Sequence, residues 1–182
     1  VHELIGSENF KAIISEINSN IKPAFSIITG DISDHGTPAQ YELYLQDKQL
    51  FDGQVYTTPG NHDVRWWNAN GKRTFTNQVG PLYQSFTYGG VHFVLLDTTV
   101  NFELDGKIGK AQLQWLKSDL DSIPADMPVI LFGHHPFKIN NNVTARHELL
   151  SATKDSNVIA FMNGHVHYYG NVVEDGVPIN YI

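Results

Sequence analysis

The 182-residue sequence predicts an α/β domain with mixed sheets. Segments with helical spacing alternate with short apolar runs, the pattern of strands and helices packed in layers. Two pairs of apolar runs are joined by tight-turn sequences. They predict hairpins, and hence antiparallel pairs beside parallel ones. Four runs also stop at Gly followed by a side chain that can bind a metal, which places a candidate site at strand ends.

Phe10, Ile13, Ile14, Ile17 and Ile21 follow i, i+3, i+4, i+7 spacing and predict the first helix. Ser7 stands at its N-cap position and Pro23 follows its end. Ala24 to Thr29 is a short apolar run ending in Gly30-Asp31. Pro38 to Leu50 reads as helix, with proline in its first turn. Val55 to Thr58 is a short strand running into Pro59-Gly60. Phe86 to Tyr88 and Val91 to Leu96 flank Gly89-Gly90 and form a hairpin. Leu113, Leu116 and Leu120 mark a helix over Gly109 to Asp121. Val129 to Phe132 and Val158 to Met162 are strands that stop at Gly133 and at Asn163-Gly164. Tyr168 to Glu174 and Val177 to Tyr181, joined by Asp175-Gly176, form a second hairpin. The chain opens at Val1 and closes on Asn180-Tyr181-Ile182, which reads as the middle of a strand, so both ends are expected to be cut.

Composition narrows the function. At about 150 residues per domain the length suits one domain. A chain this long buries about 70% of its unfolded surface without needing staples. There is no cysteine, so disulfides, zinc–thiolate sites, iron–sulfur clusters and thiol nucleophiles are excluded. The compartment is therefore not readable from cysteine usage. The formal charge of −7 disfavours a nucleic-acid partner, which binds through phosphate neutralisation. No apolar stretch of about 18 residues is present to span a membrane.

The chemistry sits in Ile27-Ile28-Thr29-Gly30-Asp31, Thr58-Pro59-Gly60-Asn61-His62-Asp63, Phe132-Gly133-His134-His135 and Asn163-Gly164-His165-Val166-His167. Ligands bind at the carboxyl ends of strands in open α/β sheets. Four such ends would bring carboxylate, amide and imidazole together, and glycine lets the backbone turn tightly beside a shared centre. Mixed Asp, Asn and His ligands suit Zn, Fe, Mn or Co. A carboxylate has two oxygens and can bridge two ions.

The ordered set Gly30-Asp31-Ile32-Ser33-Asp34, Gly60-Asn61-His62-Asp63, Gly133-His134-His135-Pro136 and Gly164-His165-Val166-His167 resembles the calcineurin-like metallophosphoesterases. Gly109-Lys110-Ala111-Gln112-Leu113-Gln114-Trp115-Leu116 resembles a helix of the cyclic-nucleotide-phosphodiesterase-like and acid-phosphatase-like branches. The resemblance implies a four-layer α/β/β/α sandwich, with residues 1–182 as a single domain lacking its N-terminal strand and C-terminal strands. It implies two divalent ions (Mn, Fe or Zn), with Asp31 bridging them. Asn61, His134 and His165 complete one, and His167 belongs to the other. The family's Asp-x-His motif is missing, but His2 is positioned to be its histidine if an Asp precedes Val1. Twenty-nine positions separate His2 from Asp31, room for one helix and one strand.

The resemblance further implies phosphomonoester or phosphodiester hydrolysis by a metal-activated hydroxide. His62 would protonate the leaving group or stabilise the equatorial charge, Asp63 would orient His62, and Asp34 would stand behind them. The substrate would be a small-molecule or lipid-linked phosphate ester. A purple acid phosphatase would carry Tyr where this chain has Asp34, and a nuclease fits poorly with a charge that two divalent ions only raise to −3. A non-catalytic scaffold or binding module on the same fold is the alternative from another class. The presence of Asp31, Asn61, His62, His134, His165 and His167 favours catalysis over it.

Other candidates have two readings each. His35 faces substrate or sits in an exposed turn. His135 supports His134 or lines the cleft. His92 packs or faces solvent, and His147 lies in a helical segment without a visible partner. Arg65, Trp66 and Trp67 form a phosphate contact and substrate wall, or local core.

Overall fold

The computed structural model describes residues 5–64, 70–136, 143–167, 169–174 and 176–182. Helix α1 (Glu8–Glu16) is capped by Ser7, whose side chain accepts from the Phe10 backbone N–H. It continues into a π-turn, Ile17–Ile21, that ends at Lys22 in the left-handed region. Strand β1 (Phe25–Ile28) pairs in parallel with β2 (Gln54–Thr57). Between them lies α2 (Pro38–Lys48), opened by Thr37 and Gln40 in a reciprocal capping box. The short α3 (Asn61–Val64) and α4 (Gly71–Gln78) follow.

The second sheet runs β3-β4-β5-β6-β8-β7. Its strands are β3 (Gln84–Tyr88), β4 (Val91–Leu95), β5 (Pro128–Gly133), β6 (Asn157–Asn163), β7 (Gly170–Glu174) and β8 (Val177–Tyr181). β4, β5, β6 and β8 are mutually parallel, and only the edge strands β3 and β7 run the other way. Helices α5 (Lys110–Leu120) and α6 (Val143–Thr153) lie between the central strands in sequence.

Side-chain alternation along the strands separates four layers. Val94, Val129, Leu131, Phe161 and Ile179 turn one face of the large sheet onto Leu116 and Leu120 of α5 and Leu149 of α6. The opposite face meets the small sheet through rings. Phe25 of β1 sits edge-on to Phe86 and Phe93 at centroid distances of 5.0 Å, and Tyr56 stacks on Phe86 at 4.0 Å. Beyond the small sheet, Ile28 packs with Tyr41, Tyr44 and Phe75 of α2 and α4. Tyr44 also hydrogen-bonds Thr57. The order is α/β/β/α, as expected.

Element ends match the sequence reading to within one or two residues, with two exceptions. The first helix gives way to the π-turn after Glu16, and Tyr169 precedes β7 rather than lying in it, while Tyr168 is outside the described residues. Helix α4 was not expected. Only Phe75 of its eight residues is a buried apolar side chain, so its sequence offers no i, i+3, i+4 run of apolar residues to read.

Among the parallel strands, β1, β2, β5 and β6 run at their carboxyl ends into the Asp31, Asn61, His134 and His165 loops. Phe25 bridges the two sheets, so Phe25→Ala is expected to destabilise the fold by about 3 kcal/mol, the low end for aromatic truncation because the ring is half-buried. Chemical denaturation checks this, and an unchanged midpoint would show that the sheets do not depend on this ring.

Candidate metal centre

Three expected ligands meet at one point. Asn61 Oδ1 lies 3.0 Å from His134 Nε2 and 3.0 Å from His165 Nδ1, and these two nitrogens are 3.2 Å apart. Asp31 Oδ2 stands 3.2 Å from the same His134 Nε2. His134 Nδ1 faces the Thr29 carbonyl oxygen at 2.8 Å. A carbonyl only accepts, so Nδ1 carries a hydrogen. In the neutral ring Nε2 is then a lone pair directed at the oxygens of Asp31 and Asn61.

Such a set needs a positive charge at its centre. An ion with bonds of about 2.0–2.1 Å holds tetrahedral neighbours about 3.3 Å apart, close to the edges found here. Carboxylate, amide and imidazole are the donors that suit Mn, Fe or Zn. The residues therefore fit a divalent cation.

The backbone is bent to make this set. Five described non-glycine residues have positive φ, and three of them are Asp31 (54°), His165 (71°) and His167 (55°). Left-handed backbone at non-glycine residues costs about 1–3 kcal/mol each and persists where surrounding structure enforces it. Glycine permits the close approach. A Cβ on Gly30 would fall 2.7 Å from Gly60 N and 2.9 Å from His134 Nδ1, and one on Gly60 would collide with Asp31.

Asp31 is 4% exposed and is joined from two sides. Its Oδ1 accepts from the His62 backbone N–H at 3.0 Å, while Oδ2 faces His134. Burial pushes its carboxyl up, but His134 and the His62 N–H outweigh it and hold the carboxyl well below the usual range. Burial and the neighbouring His134 lower His165 to about 4, so its ring is neutral near pH 7. His167 is exposed and close enough to His165 to contribute to that lowering. His2 lies outside the described residues, as do Arg65, Trp66 and Trp67.

One expected role is relocated. Asp63 does not orient His62. Its Oδ1 accepts from Ser33 N at 2.9 Å and Ser33 Oγ at 2.8 Å, and its Oδ2 from Gly60 N at 2.7 Å. Its backbone carbonyl accepts from Tyr41 Oη at 2.6 Å. It is a buried strut between the loops that follow β1 and β2. Burial and the Asp31 charge push its carboxyl up to about 6, against the pull of these donors. Adjacent residues in the helical turn α3 project about 100° apart, so Asp63 points away from the ring of its neighbour.

Asp34 takes the orienting position instead. His62 Nδ1 lies 3.0 Å from the Asp34 carbonyl oxygen and 3.1 Å from Asp34 Oδ1. The hydrogen therefore sits on Nδ1. Asp34 Oδ2 holds His35 Nδ1 at 2.8 Å, so one carboxylate serves two imidazoles, with His35 more than half exposed.

The remaining histidines separate clearly. His135 is buried edge-on to His134, with Nδ1 2.9 Å from Thr98 Oγ1. Burial lowers it to about 2. Sequence reasoning did not find Thr98, which follows β4 without a glycine signal. His92 is buried and ties β4 to α5 through Asp119 at 2.9 Å. His147 is exposed on α6.

The chain is 31% identical over 176 residues to the "Probable glycerophosphodiester phosphodiesterase GpdQ" of Arcobacter nitrofigilis, spanning 87% of this chain and 62% of that protein. It is 27% identical to a cAMP/cGMP dual specificity phosphodiesterase of Mycobacterium tuberculosis, spanning 92% of this chain and 56% of that one. The chain thus covers less than two thirds of these curated relatives. Among solved structures, a dimetal phosphatase from Danio rerio superposes with TM-score 0.70 at 15% identity, covering 94% of this chain and 76% of that one. A purple acid phosphatase from yellow lupin gives 0.73 at 17% identity, covering 97% and 39%. These two show a shared fold. The family model for calcineurin-like phosphoesterases matches residues 1–169, and with the strand-end motifs and the α/β/β/α layers in place, the chain belongs to the calcineurin-like phosphoesterase family.

Proposed function

We propose that this chain hydrolyses phosphoesters with the help of two divalent ions. The observation that carries this reading is the convergence of Asp31, Asn61, His134 and His165 on one point within 3.0–3.2 Å contacts. These four side chains would hold one ion. Asp31, His167 and His2 would hold the other. Divalent ions so held supply Lewis acidity toward a phosphoryl oxygen and lower the pKa of water.

The chain's own residues do the rest. Asp31, kept ionised, offers one carboxylate to both positions. His62 stands beside Asn61 with its hydrogen fixed on Nδ1 by Asp34. In the imidazolium form it would donate from Nε2 to the leaving oxygen, which departs as the alcohol, and the neutral ring would regain a proton from solvent water. Asp34 keeps the ring in this orientation. Asp63 holds Ser33 and Gly60 together, and so keeps Asp31 and Asn61 in place. The named relatives are phosphodiesterases, which supports diesters, cyclic nucleotides included, as the first substrates to assay.

Chelation should bring hydrolysis of a phosphodiester panel to background, and added Mn2+ or Zn2+ should restore it. Full activity in protein shown to be metal-free by elemental analysis would sink the reading. His62→Ala should lower turnover by about 10²–10⁴-fold while bound metal stays at the wild-type level. Loss of metal from that variant would move His62 into the ligand set. Asp63→Ala should act on stability, by about 3 kcal/mol in denaturant unfolding, because it strands buried donors. An unaltered unfolding midpoint with a large loss of turnover would return Asp63 to an orienting role.

A further inference from the structure

A second polar group lies at the other end of the large sheet, where the β3–β4 hairpin meets α5. Thr87 and His92 stand directly opposite one another, one pair back from the Tyr88 and Val91 pair that closes the turn. His92 is in register with Val129 of β5, and His134 lies five positions further along that chain. At 3.3 Å per residue this places the group about 16 Å from the candidate metal centre.

Three side chains form a line of hydrogen bonds. Thr87 Oγ1 is 2.8 Å from His92 Nδ1, and His92 Nε2 is 2.9 Å from Asp119 Oδ2. The other Asp119 oxygen accepts from Ser85 Oγ at 2.5 Å, which holds the carboxylate in place. An ionised carboxylate only accepts, so Nε2 carries a hydrogen. In the neutral ring Nδ1 is then a lone pair, and the Thr87 hydroxyl donates to it. Burial changes sharply along the line. His92 is 4% exposed, the Asp119 side chain is 14% exposed, and Thr87 is exposed. A tie between β4 and α5 needs only His92 and Asp119. The open hydroxyl on the far side of the ring completes the pattern of a nucleophile beside a base that a third group orients. Nothing stands within 4 Å of a Cβ position on Gly89 or Gly90, so the turn beside Thr87 leaves room for an incoming molecule.

We propose that Thr87, His92 and Asp119 form a hydroxyl–imidazole–carboxylate relay that makes Thr87 an acylation site for activated esters. Thr87 Oγ1 forms a bond to the acyl carbon while its proton passes to His92 Nδ1. The bond between the acyl carbon and the leaving oxygen then breaks, and His92 gives the proton to that oxygen. The products are the Thr87 ester and the free alcohol, with no oxidant, reductant or ion consumed. Asp119 steadies the imidazolium between the two transfers. The relay is independent of the phosphoester reading and shares no residue with it.

The test incubates the full chain with 4-nitrophenyl acetate and locates acetyl groups by peptide mass mapping over time. Thr87 should be acetylated at least about 100-fold faster than Thr76, an exposed threonine whose hydroxyl donates to the Arg73 carbonyl instead of a base. Thr87→Ser should keep the reaction and Thr87→Val should lose it. Asp119→Asn, with its fold checked by circular dichroism, should slow it at least about 100-fold. Chelation should leave it unchanged. The proposal is overturned if Thr87 is labelled no faster than Thr76, if folded Asp119→Asn reacts as fast as the wild type, or if chelation abolishes the labelling.

Discussion

Lone pairs directed at one another must share a positive charge, and this fold is arranged around such a meeting. His134 Nε2, Asn61 Oδ1, His165 Nδ1 and Asp31 Oδ2 come from four different loops, yet each lies within 3.2 Å of at least one other. No apolar packing would choose that arrangement. Much of the nearby backbone follows from it. Asp31 and His165 take left-handed conformations to aim their side chains inward. Gly30 and Gly60 lack Cβ atoms because the β1 and β2 loops would otherwise collide. Strain of this kind persists only where the surroundings over-determine it.

Those surroundings are the sheets. Strands β4, β5, β6 and β8 run parallel, so their carboxyl ends emerge on one side, and β1 and β2 deliver theirs through a second parallel pair. The layers are joined where Phe25 meets Phe86 and Phe93, which fixes how the small sheet sits on the large one. Bonds across the loops finish the alignment. Gly164 N donates to His134 O at 3.1 Å and Thr58 N to Ile28 O at 3.0 Å. His134 then reaches across to Thr29 O, 105 positions away in sequence. The site is therefore a tertiary object whose parts are each locally simple.

That division explains what was legible in the sequence. Strands and helices with strong periodicity, such as α5 with Leu116 and Leu120, could be read directly. So could Asp31, Asn61, His134 and His165, because each follows a strand and a glycine. The roles of Asp34 and Asp63 could not. Both carboxylates lie near His62, and the choice between them rests on side-chain direction. Sequence adjacency favoured Asp63, but the helical turn of α3 sends it toward Ser33 and Gly60. Asp34 reaches His62 across 28 positions, a contact that no local pattern encodes. Thr98 was hidden for the same reason. It holds His135 from another strand end, with no motif to mark it.

The two buried carboxylates also couple the charge at Asp31 to the order of the site. Asp31 and Asp63 are 4% and 1% exposed, and the charge of one raises the carboxyl of the other. Asp63 is the strut that ties Ser33 to Gly60, and Gly60 precedes Asn61 and His62. Repulsion from Asp31 therefore works against the contact that positions the amide and the imidazole. A cation at Asp31 Oδ2 would offset that charge and relieve the repulsion on the strut without touching it. Whatever binds the folded arrangement more tightly than the unfolded chain stabilises it by the same free energy. In this chain a cation bound beside Asp31 would stabilise the contact between the loops after β1 and β2, because the Asp31 charge acts on the Asp63 strut that joins them.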